Sequence, residues 1–289
     1  MVAIPDSLFL NVSKIKLVLE KLHQDPKKKF GQNFLHNKGV ISSIISAMEL
    51  DEEDIVLEIG PGLGAFTFPL AKKCLKIIAI EINESFSDYL KEGKQIHKLP
   101  NIKILVGNAL EIMYPKGITK LYSSIPYSIA GPLIMKILIY IMKQNIPAFI
   151  ICQEEFADKM MAIPGTKDYS RLSINTQFLS KIKKIMNISR NNFYPVPRVD
   201  SVLVKFIPRI AINENAIISF LDLTRGIFPY KNKTLRSALK HYANIAPKKY
   251  KIPLNAIEKV KIKHKRVREL DVSDILYLIE HFNFHEVFR

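Results

Sequence analysis

The sequence predicts an α/β fold in which a mainly parallel sheet is followed by a small all-helical domain. From about residue 38 to residue 206, short β-rich runs alternate with helical patterns, which is typical of βαβ units. After Pro208 the pattern predicts helices with no convincing strand between them. Apolar residues make up 48% of the 289 residues, so the chain can bury a sizeable core.

The predicted strands are short, apolar and mostly separated by helical patterns. They are Ile55–Ile59, Lys76–Ile80, Ile102–Val106, Lys120–Ile125, Ala148–Gln153, Ile182–Ile188 and Ser201–Ile207. A short connection through Asn191–Pro197 joins the last two, and it suits an antiparallel hairpin better than a crossover. We therefore expect the last strand to be antiparallel. After the strands, helices are predicted at 214–228, 233–243 and 273–282.

These patterns divide the chain into three segments. Residues 1–26 are an N-terminal extension, in which Ser7–Leu22 has the apolar spacing of an amphipathic helix. Residues 27–208 form the α/β domain, and residues 209–289 form a basic helical domain.

The N-terminus and the cysteines indicate a cytoplasmic protein. The first residues lack the features of a signal peptide, and no run of about 18 apolar residues predicts a membrane span. An organellar presequence is not favoured, because residues 1–26 contain Lys but no Arg, together with Asp6 and Glu20. Cys74 and Cys152 lie in apolar segments and are predicted to be buried thiols, which fits a reducing compartment.

The charge balance favours a polyanionic partner. The chain has 43 Lys and Arg against 27 Asp and Glu, a formal charge of +16. From Arg225 to Arg268 there are 14 basic residues and a single acid, Glu258. Nucleic acid and an acidic membrane surface both attract such a segment. The membrane is the weaker alternative, because the basic residues follow a folded α/β domain rather than forming one amphipathic helix.

A glycine-rich turn, Gly60-Pro-Gly62-Leu-Gly64, follows the first predicted strand. Glycine is needed where the backbone turns tightly and approaches a ligand. The spacing differs from the G-x-G-x-x-G of dinucleotide-binding folds, and a carboxylate at Glu58 would repel phosphates but attract a cation. Glu81 ends the next strand and can accept hydrogen bonds from both hydroxyls of a ribose. S-adenosylmethionine (SAM) carries two cationic groups and no phosphate, so these residues favour SAM over NAD.

The next two strand ends carry polar and aromatic residues. Asn108 follows the third strand and could bind the adenine of a cofactor. After the fourth strand, Ser124 and the carbonyl of Ile125 could hold the hydrogens of an exocyclic adenine amine. Pro126 fixes that turn, and Tyr127 could stack on an extruded base. On local sequence alone, the same residues are typical of an ordinary Pro-Tyr turn.

Phe193 precedes a stiff segment with two prolines, Pro195 and Pro197. That segment could hold Phe193 against the other face of the base. The alternative is a proline-braced hairpin loop with Phe193 in the core.

In this order, the segments resemble the ribosomal RNA adenine dimethylases, the KsgA-like family, over roughly residues 27–240. Six motifs carry the resemblance, and their succession is highly specific. The matching segments are Lys29–Leu35, Glu58–Gly64, Gln153–Ala157, Pro164–Ser173, Phe193–Ser201 and Phe228–Arg236.

The resemblance implies a Rossmann-like SAM-dependent methyltransferase sheet and a helical domain that helps to hold RNA. It implies transfer of two methyl groups to the N6 of each of two adjacent adenosines near the 3′ end of small-subunit rRNA, with a role in small-subunit biogenesis. The SAM-contacting positions then fall on Asn33, Leu35, Gly60, Gly62, Gly64, Glu81, Asn108 and Ser124. The target-adenine positions fall on Ser124, Ile125, Pro126, Tyr127 and Phe193.

Two of these positions depart from the family pattern. The family normally has Asp where this chain has Asn108, which keeps an acceptor oxygen but loses the charge. It normally has Asn where this chain has Ser124, whose oxygen reaches less far. The backbone carbonyl of Ile125 would then carry more of the positioning.

The expected mechanism is direct in-line methyl transfer to adenine N6, without a metal or a covalent intermediate, in which orientation supplies much of the acceleration. Lys27–Lys29 and the basic helical domain, with Lys231, Lys233 and Arg236, would bind RNA phosphates. We expect a monomer that acts on small-subunit rRNA or a pre-30S-type particle, without membrane association. His281 and His285 have metal-ligand spacing but no acidic partner nearby in sequence, so we interpret them as surface residues.

Two other functions remain open. One is a large-subunit rRNA adenine methylase of the macrolide-resistance type, which shares the fold and the cofactor loop. The other is a weakly active or non-catalytic paralogue that binds nucleic acid, as an assembly factor or an organellar transcription factor. Asn108 and Ser124 keep this second alternative open. The extension, 1–26, could cap the cofactor site, contact RNA or direct import.

Overall fold

The computed structural model describes residues 8–25, 33–209, 214–245 and 252–284, without the side chains of Tyr127 and Ile245. The chain forms two compact units. The first comprises Met1–Ala157 and Ile182–Pro208, and the second comprises Asp158–Lys181 and Arg209–Arg289.

The first unit is built on a seven-stranded sheet. Its strands are β2 (Ile55–Ile59), β3 (Lys76–Glu81), β4 (Ile102–Val106), β5 (Lys120–Ser124), β6 (Ala148–Gln153), β7 (Ser180–Ile188) and β9 (Ser201–Pro208). The strand order is β4-β3-β2-β5-β6-β9-β7. Strands β2 to β6 pair in parallel, whereas β9 is antiparallel to β6. This confirms the predicted parallel sheet with an antiparallel last strand.

Two short strands, β1 (Phe34–Leu35) and β8 (Phe193–Tyr194), form a separate antiparallel pair. They lie far apart in sequence and join the start of the α/β domain to the proline-rich loop before β9.

Helices accompany the sheet strands. In the first unit they are α1 (Val12–Lys21), α2 (Lys38–Ala47), α3 (Thr67–Ala71), α4 (Glu84–Ile96) and α5 (Ala130–Gln144), with the start of α6 (Glu154–Met161). The central strands are largely buried because they are covered on both faces, and Val56, Leu57 and Leu121 are fully buried. Helix α1 begins later than the predicted Ser7, because the Asn11 side chain accepts the Lys14 N–H at 2.9 Å and caps the helix.

The second unit is helical. It contains the end of α6, then α7 (Arg171–Leu179), α8 (Glu214–Ile227), α9 (Leu235–Ile245), α10 (Leu254–Glu258) and α11 (Val272–His281). The three helices predicted after residue 208 correspond to α8, α9 and α11, and α10 is an additional short helix.

The segment 158–181 belongs to this helical unit, whereas its position among the strands had placed it in the α/β domain. Phe178 of α7 stacks on Phe220 of α8 with ring centroids 3.7 Å apart. The Tyr169 hydroxyl donates to the Leu270 carbonyl at 2.8 Å. These contacts join residues about 40 and 100 positions apart, and no local sequence pattern predicts them.

Both cysteines are buried thiols, as predicted. Among the described residues, no helix is both long and apolar enough to span a bilayer.

Candidate functional site

The carboxyl ends of the parallel strands surround a cavity in the first unit, with a volume of about 350 Å³. This lies within the ~300–1,000 Å³ of small-molecule sites. Ten of the predicted site residues line it: Asn33, Leu35, Gly60, Gly62, Glu81, Asn108, Ser124, Ile125, Pro126 and Phe193. Gly64 is not part of the wall, and the Tyr127 side chain lies outside the described residues. Residues from separate motifs therefore meet in one cavity, as the strand-end argument predicted.

Glu81 holds the glycine loop in place. Its Oε2 accepts the Gly62 N–H at 3.0 Å, and its Oε1 accepts the Asn83 N–H at 2.9 Å. The side chain is 5% exposed, and burial raises the pKa of this carboxyl. A carboxylate has about four acceptor sites, so both oxygens can still accept ribose hydroxyls.

The three loop glycines have left-handed backbone, but they serve different purposes. Gly60 and Gly62 have φ of +75° and +55°, and a Cβ on Gly62 would lie 3.2 Å from Phe34. Gly64 has φ of +79°, and a Cβ there would come within 2.5 Å of Phe68. We conclude that Gly60 and Gly62 shape the cavity wall, whereas Gly64 allows the following helix to pack closely.

Glu58 differs from the charged group that its sequence position suggested. The side chain is 1% exposed, and its Oε2 finds no hydrogen-bond partner among the described residues. Burial raises its pKa to about 8, and the nearby charge of Glu81 adds to the effect. In the free protein Glu58 is therefore mostly protonated at neutral pH. Glu58 can therefore attract a cation only if the binding of that cation displaces the proton from its carboxyl group.

The protonation of Glu58 should make the stability of the free protein depend on pH. Its folded pKa of about 8 lies above the ordinary 4.5. Across that window the folded state retains a proton that the unfolded chain releases, so the unfolding free energy falls as pH rises. Calorimetric unfolding should show a steeper fall for wild type than for Glu58→Gln. The exposed Glu53→Gln is the control, and identical slopes for wild type and Glu58→Gln would contradict the assignment.

Asn108 lies in a local network after β4. Its Oδ1 accepts the Leu110 N–H at 3.0 Å, and its Nδ2 donates to Glu111 Oε1 at 2.8 Å. Lys136 of α5 donates to the carbonyls of Ala109 and Ile112 at 2.8 and 2.6 Å, which secures the loop. Lys136 was not predicted from sequence, since it lies 28 residues after Asn108 on a mostly apolar helix.

The end of β5 brings the residues that were predicted to hold the base beside the glycine loop. A Cβ on Gly60 would lie 3.7 Å from the backbone oxygen of Ser124. The Ile125 N–H donates to the Ile151 carbonyl at 3.0 Å, which extends the pairing with β6. Ser123 turns the other way, and its hydroxyl donates to the Ile59 carbonyl at 2.9 Å. Ser124 is therefore the serine that faces the cavity.

The two-stranded pair explains how Phe193 reaches the cavity. Leu35 pairs with Phe193, and Phe34 pairs with Tyr194. Phe193 is 3% exposed and belongs to the apolar core, yet it also lines the cavity. The core position agrees with one of the two interpretations from sequence, and contact with a base stays a prediction.

Several wall residues were not identified from sequence. They are apolar or aromatic side chains whose periodicity indicates only a core: Leu10, Ile15, Phe34, Phe66, Phe86 and Tyr122. Phe66 packs on Tyr122 with ring centroids 4.4 Å apart. Leu10 and Ile15 come from the N-terminal extension, which therefore contributes to the cavity.

The predicted RNA-binding residues lie in the second unit. Backbone hydrogen bonds join 231–236 to 263–268, including Leu235 N–H to Lys265 O at 2.8 Å and Val267 N–H to Lys233 O at 3.0 Å. This pairing concentrates the basic residues of two distant segments.

The charged groups of the three predicted RNA-binding residues differ in how far other groups of the protein already engage them. Lys231 Nζ approaches the carbonyls of Lys167 and Tyr169 at 3.3 and 3.4 Å, so it helps to hold that loop. Arg236 is paired with Glu258 at 2.7 Å and lowers the pKa of that carboxyl to about 2. Lys233 is exposed, and its side chain has no partner among the described residues.

Two further groups of residues that the sequence singled out, one basic and one containing two histidines, lie at or near segments that the structure does not describe. Lys27–Lys29 and His285 lie outside the described residues. His281 Nε2 lies 3.1 Å from the Ala256 carbonyl. Within the described ranges, no cluster of three or more potential metal-binding side chains occurs.

Comparison with known proteins gives concordant matches. The family model described as ribosomal RNA adenine dimethylase matches residues 23–280. The chain is 36% identical over 270 residues to a probable ribosomal RNA small subunit methyltransferase A of Pyrococcus furiosus, covering 91% of this chain and 94% of the relative. It is 32% identical over 294 residues to a probable dimethyladenosine transferase of Drosophila melanogaster, with coverages of 91% and 94%.

Among solved structures, the chain resembles a dimethyladenosine transferase from Plasmodium falciparum. The TM-score is 0.75 at 33% identity, and the match covers 86% of this chain and 97% of that chain. The likeness confirms the predicted Rossmann-like methyltransferase fold with its C-terminal helical region.

Proposed function

The chain belongs to the ribosomal RNA adenine dimethylase family, and from this premise we propose that it dimethylates the N6 of two adjacent adenosines near the 3′ end of small-subunit rRNA. As a family member it is an rRNA adenine dimethyltransferase of the SAM-dependent class. The finer proposal concerns the choice of nucleotides, the binding of SAM in the described cavity and a role in small-subunit biogenesis.

One observation carries the proposal: the glycine loop fixed by Glu81 and the Ser124–Pro126 turn share a single cavity. The residues present fit SAM. Gly60 and Gly62 leave room for close approach, Glu81 can accept the ribose hydroxyls, and Asn108 can bind the adenine. Glu58, with an oxygen that lacks a hydrogen-bond partner among the described residues, supplies a latent negative charge for a cationic ligand.

SAM, when bound, supplies a methyl group already activated by its sulfonium. The chain's own residues then have to hold the target base. The Ser124 hydroxyl oxygen and the Ile125 carbonyl would accept hydrogens from the exocyclic amine. Phe193 would contact the base face, and the amine proton can leave to water after attack. Orientation in a partly closed cavity is the main contribution that this site can make.

The basic second unit would supply RNA affinity without base readout, because phosphate contacts are independent of sequence. We propose that it holds small-subunit rRNA within a pre-30S-type particle, and that the protein acts as a cytoplasmic monomer. Specificity would then come from RNA shape.

Because the exposed Lys233 side chain has no partner among the described residues, its replacement tests the proposed RNA-binding surface more sensitively than replacement of Arg236. Lys233→Ala should weaken rRNA binding and lower the slope of log affinity against log salt by about 1. Arg236→Ala should have a smaller effect, because Glu258 already neutralises its charge. Filter binding across a salt series would measure both, with Asn232→Ala as the uncharged neighbouring control. An equal loss of SAM affinity would show instead that Lys233 is structural.

The proposed activity is tested with small subunits from cells that lack this methylation. The purified protein and labelled SAM are added, and mass spectrometry locates the modified nucleosides. Dimethyladenosine confined to the 3′-end helix supports the proposal. A parallel reaction supplies large subunits, and modification of their rRNA instead would favour the macrolide-resistance alternative. RNA binding without methyl transfer, beside an active family member, would indicate a non-catalytic paralogue.

A further inference from the structure

Helix α1 forms part of the cavity although it precedes the family match. Its residues Ile15, Val18 and Leu19 are buried within the first unit, at 1%, 1% and 4% exposure. Leu10 and Ile15 line the cavity. The family model begins only at residue 23, so this wall is supplied by a segment that the family pattern does not describe.

A chain of hydrogen bonds connects the end of α1 to the glycine loop. Gln24 Oε1 accepts from Asn83 Nδ2 at 3.1 Å. The Asn83 N–H donates to Glu81 Oε1 at 2.9 Å, and the Gly62 N–H donates to Glu81 Oε2 at 3.0 Å. One oxygen of Glu81 therefore binds the glycine loop, and the other binds Asn83, whose side chain in turn contacts Gln24.

Asn83 is suited to transmit position because both ends of its side chain are used. Its Oδ1 accepts the Phe86 N–H at 3.3 Å and caps α4. Its Nδ2 is bound to Gln24. Loss of Gln24 would leave the cap in place but release the contact that fixes Asn83 against α1.

We propose that Gln24 is a positioning residue for Glu81 in the cofactor site, and that Leu10 and Ile15, on the buried side of the same N-terminal segment, close the apolar wall. The inference rests on the proposed SAM-binding function and adds to it helix α1, which precedes the family match, and Gln24, which lies at the start of that match. It predicts an effect on the cofactor rather than on rRNA or on the chemical step.

The test compares Gln24→Ala with Asn83→Ser, which removes the same hydrogen bond from its other end and keeps a capping oxygen. Each should raise the KM and Kd for SAM about three- to tenfold, as expected for one lost hydrogen bond. The kcat at saturating SAM and the KM for rRNA should stay unchanged. The double variant should be no weaker than either single variant, because both break one contact. Leu17→Ala, on the exposed face of α1 at 47% exposure, is the matched control.

The outcomes separate this inference from the proposed function. If wild type fails to bind SAM in calorimetry, the proposed function fails. If wild type binds SAM and both variants bind it equally well, only the present inference fails. Additive losses, or losses of kcat and rRNA affinity that track a lowered melting temperature, would show a merely structural role for Gln24 and would also overturn it.

Discussion

Replacing Glu81 by glutamine should reduce SAM affinity on the order of 100-fold, the largest single effect expected at the cofactor. The carboxylate now accepts two backbone N–H groups, from Gly62 and Asn83. Glutamine can accept only one of them, and its NH₂ group would face the other donor. The variant therefore loses ribose acceptors and also displaces either the glycine loop or the start of α4. Isothermal titration with SAM measures the effect directly.

The control for this prediction is Glu84→Gln, an exposed acid in the first turn of α4. It removes the same charge three residues away without touching the loop, and it should leave SAM affinity within about twofold. The free Glu81→Gln protein should still bind rRNA, because its basic second unit is unaltered. Wild-type SAM affinity in Glu81→Gln would contradict the role assigned to this carboxylate.

The sequence predicted the sheet and the strand ends well, because apolar strands and glycine turns are local signals. It could place Glu81, Asn108 and Ser124 at one edge, since parallel strands bring their carboxyl ends together. Other features depend on contacts between distant residues. The membership of 158–181 in the helical unit, the wall from Leu10 and Ile15, and the Lys136 support are of this kind.

The sequence also did not predict how the surroundings affect two of the charged side chains. Glu58 was expected to act as a carboxylate, but complete burial among strands raises its pKa to about 8. Lys231 stays a predicted RNA-binding residue, and the sequence did not show that its ammonium also lies near the carbonyls of Lys167 and Tyr169. In both cases the residue type indicated a charge, and the surroundings determine what the charge does.

The departure at Asn108 has a local explanation. Its Nδ2 donates to Glu111 Oε1 at 2.8 Å. An aspartate there would bring two carboxylates to that distance and would repel Glu111. Its Oδ1 accepts the Leu110 N–H, and an aspartate oxygen would accept the same hydrogen bond. Asn108 and Glu111 thus form a consistent pair, and the loop geometry does not depend on the lost charge.

Ser124→Ala should lower kcat on the order of 100-fold, by analogy with the removal of one oriented hydrogen-bonding group from other active sites. The Ser124 backbone oxygen, which lies beside Gly60, remains in the variant, so SAM affinity should change little. Ser124→Asn, which restores the longer side chain of the family pattern, should match or exceed the wild-type rate. Single-turnover methylation of small subunits separates this rate from binding.

Ser123→Ala is the matched control, because adjacent strand residues face opposite sides of the sheet. Its hydroxyl donates to the Ile59 carbonyl, so its loss should reduce stability by about 1 kcal/mol and leave kcat unchanged. If Ser124→Ala turned over like wild type, the Ile125 carbonyl would be sufficient to hold the amine. The serine would then be a neutral replacement at the family's asparagine position, and the catalytic role would belong to the backbone turn that Pro126 fixes.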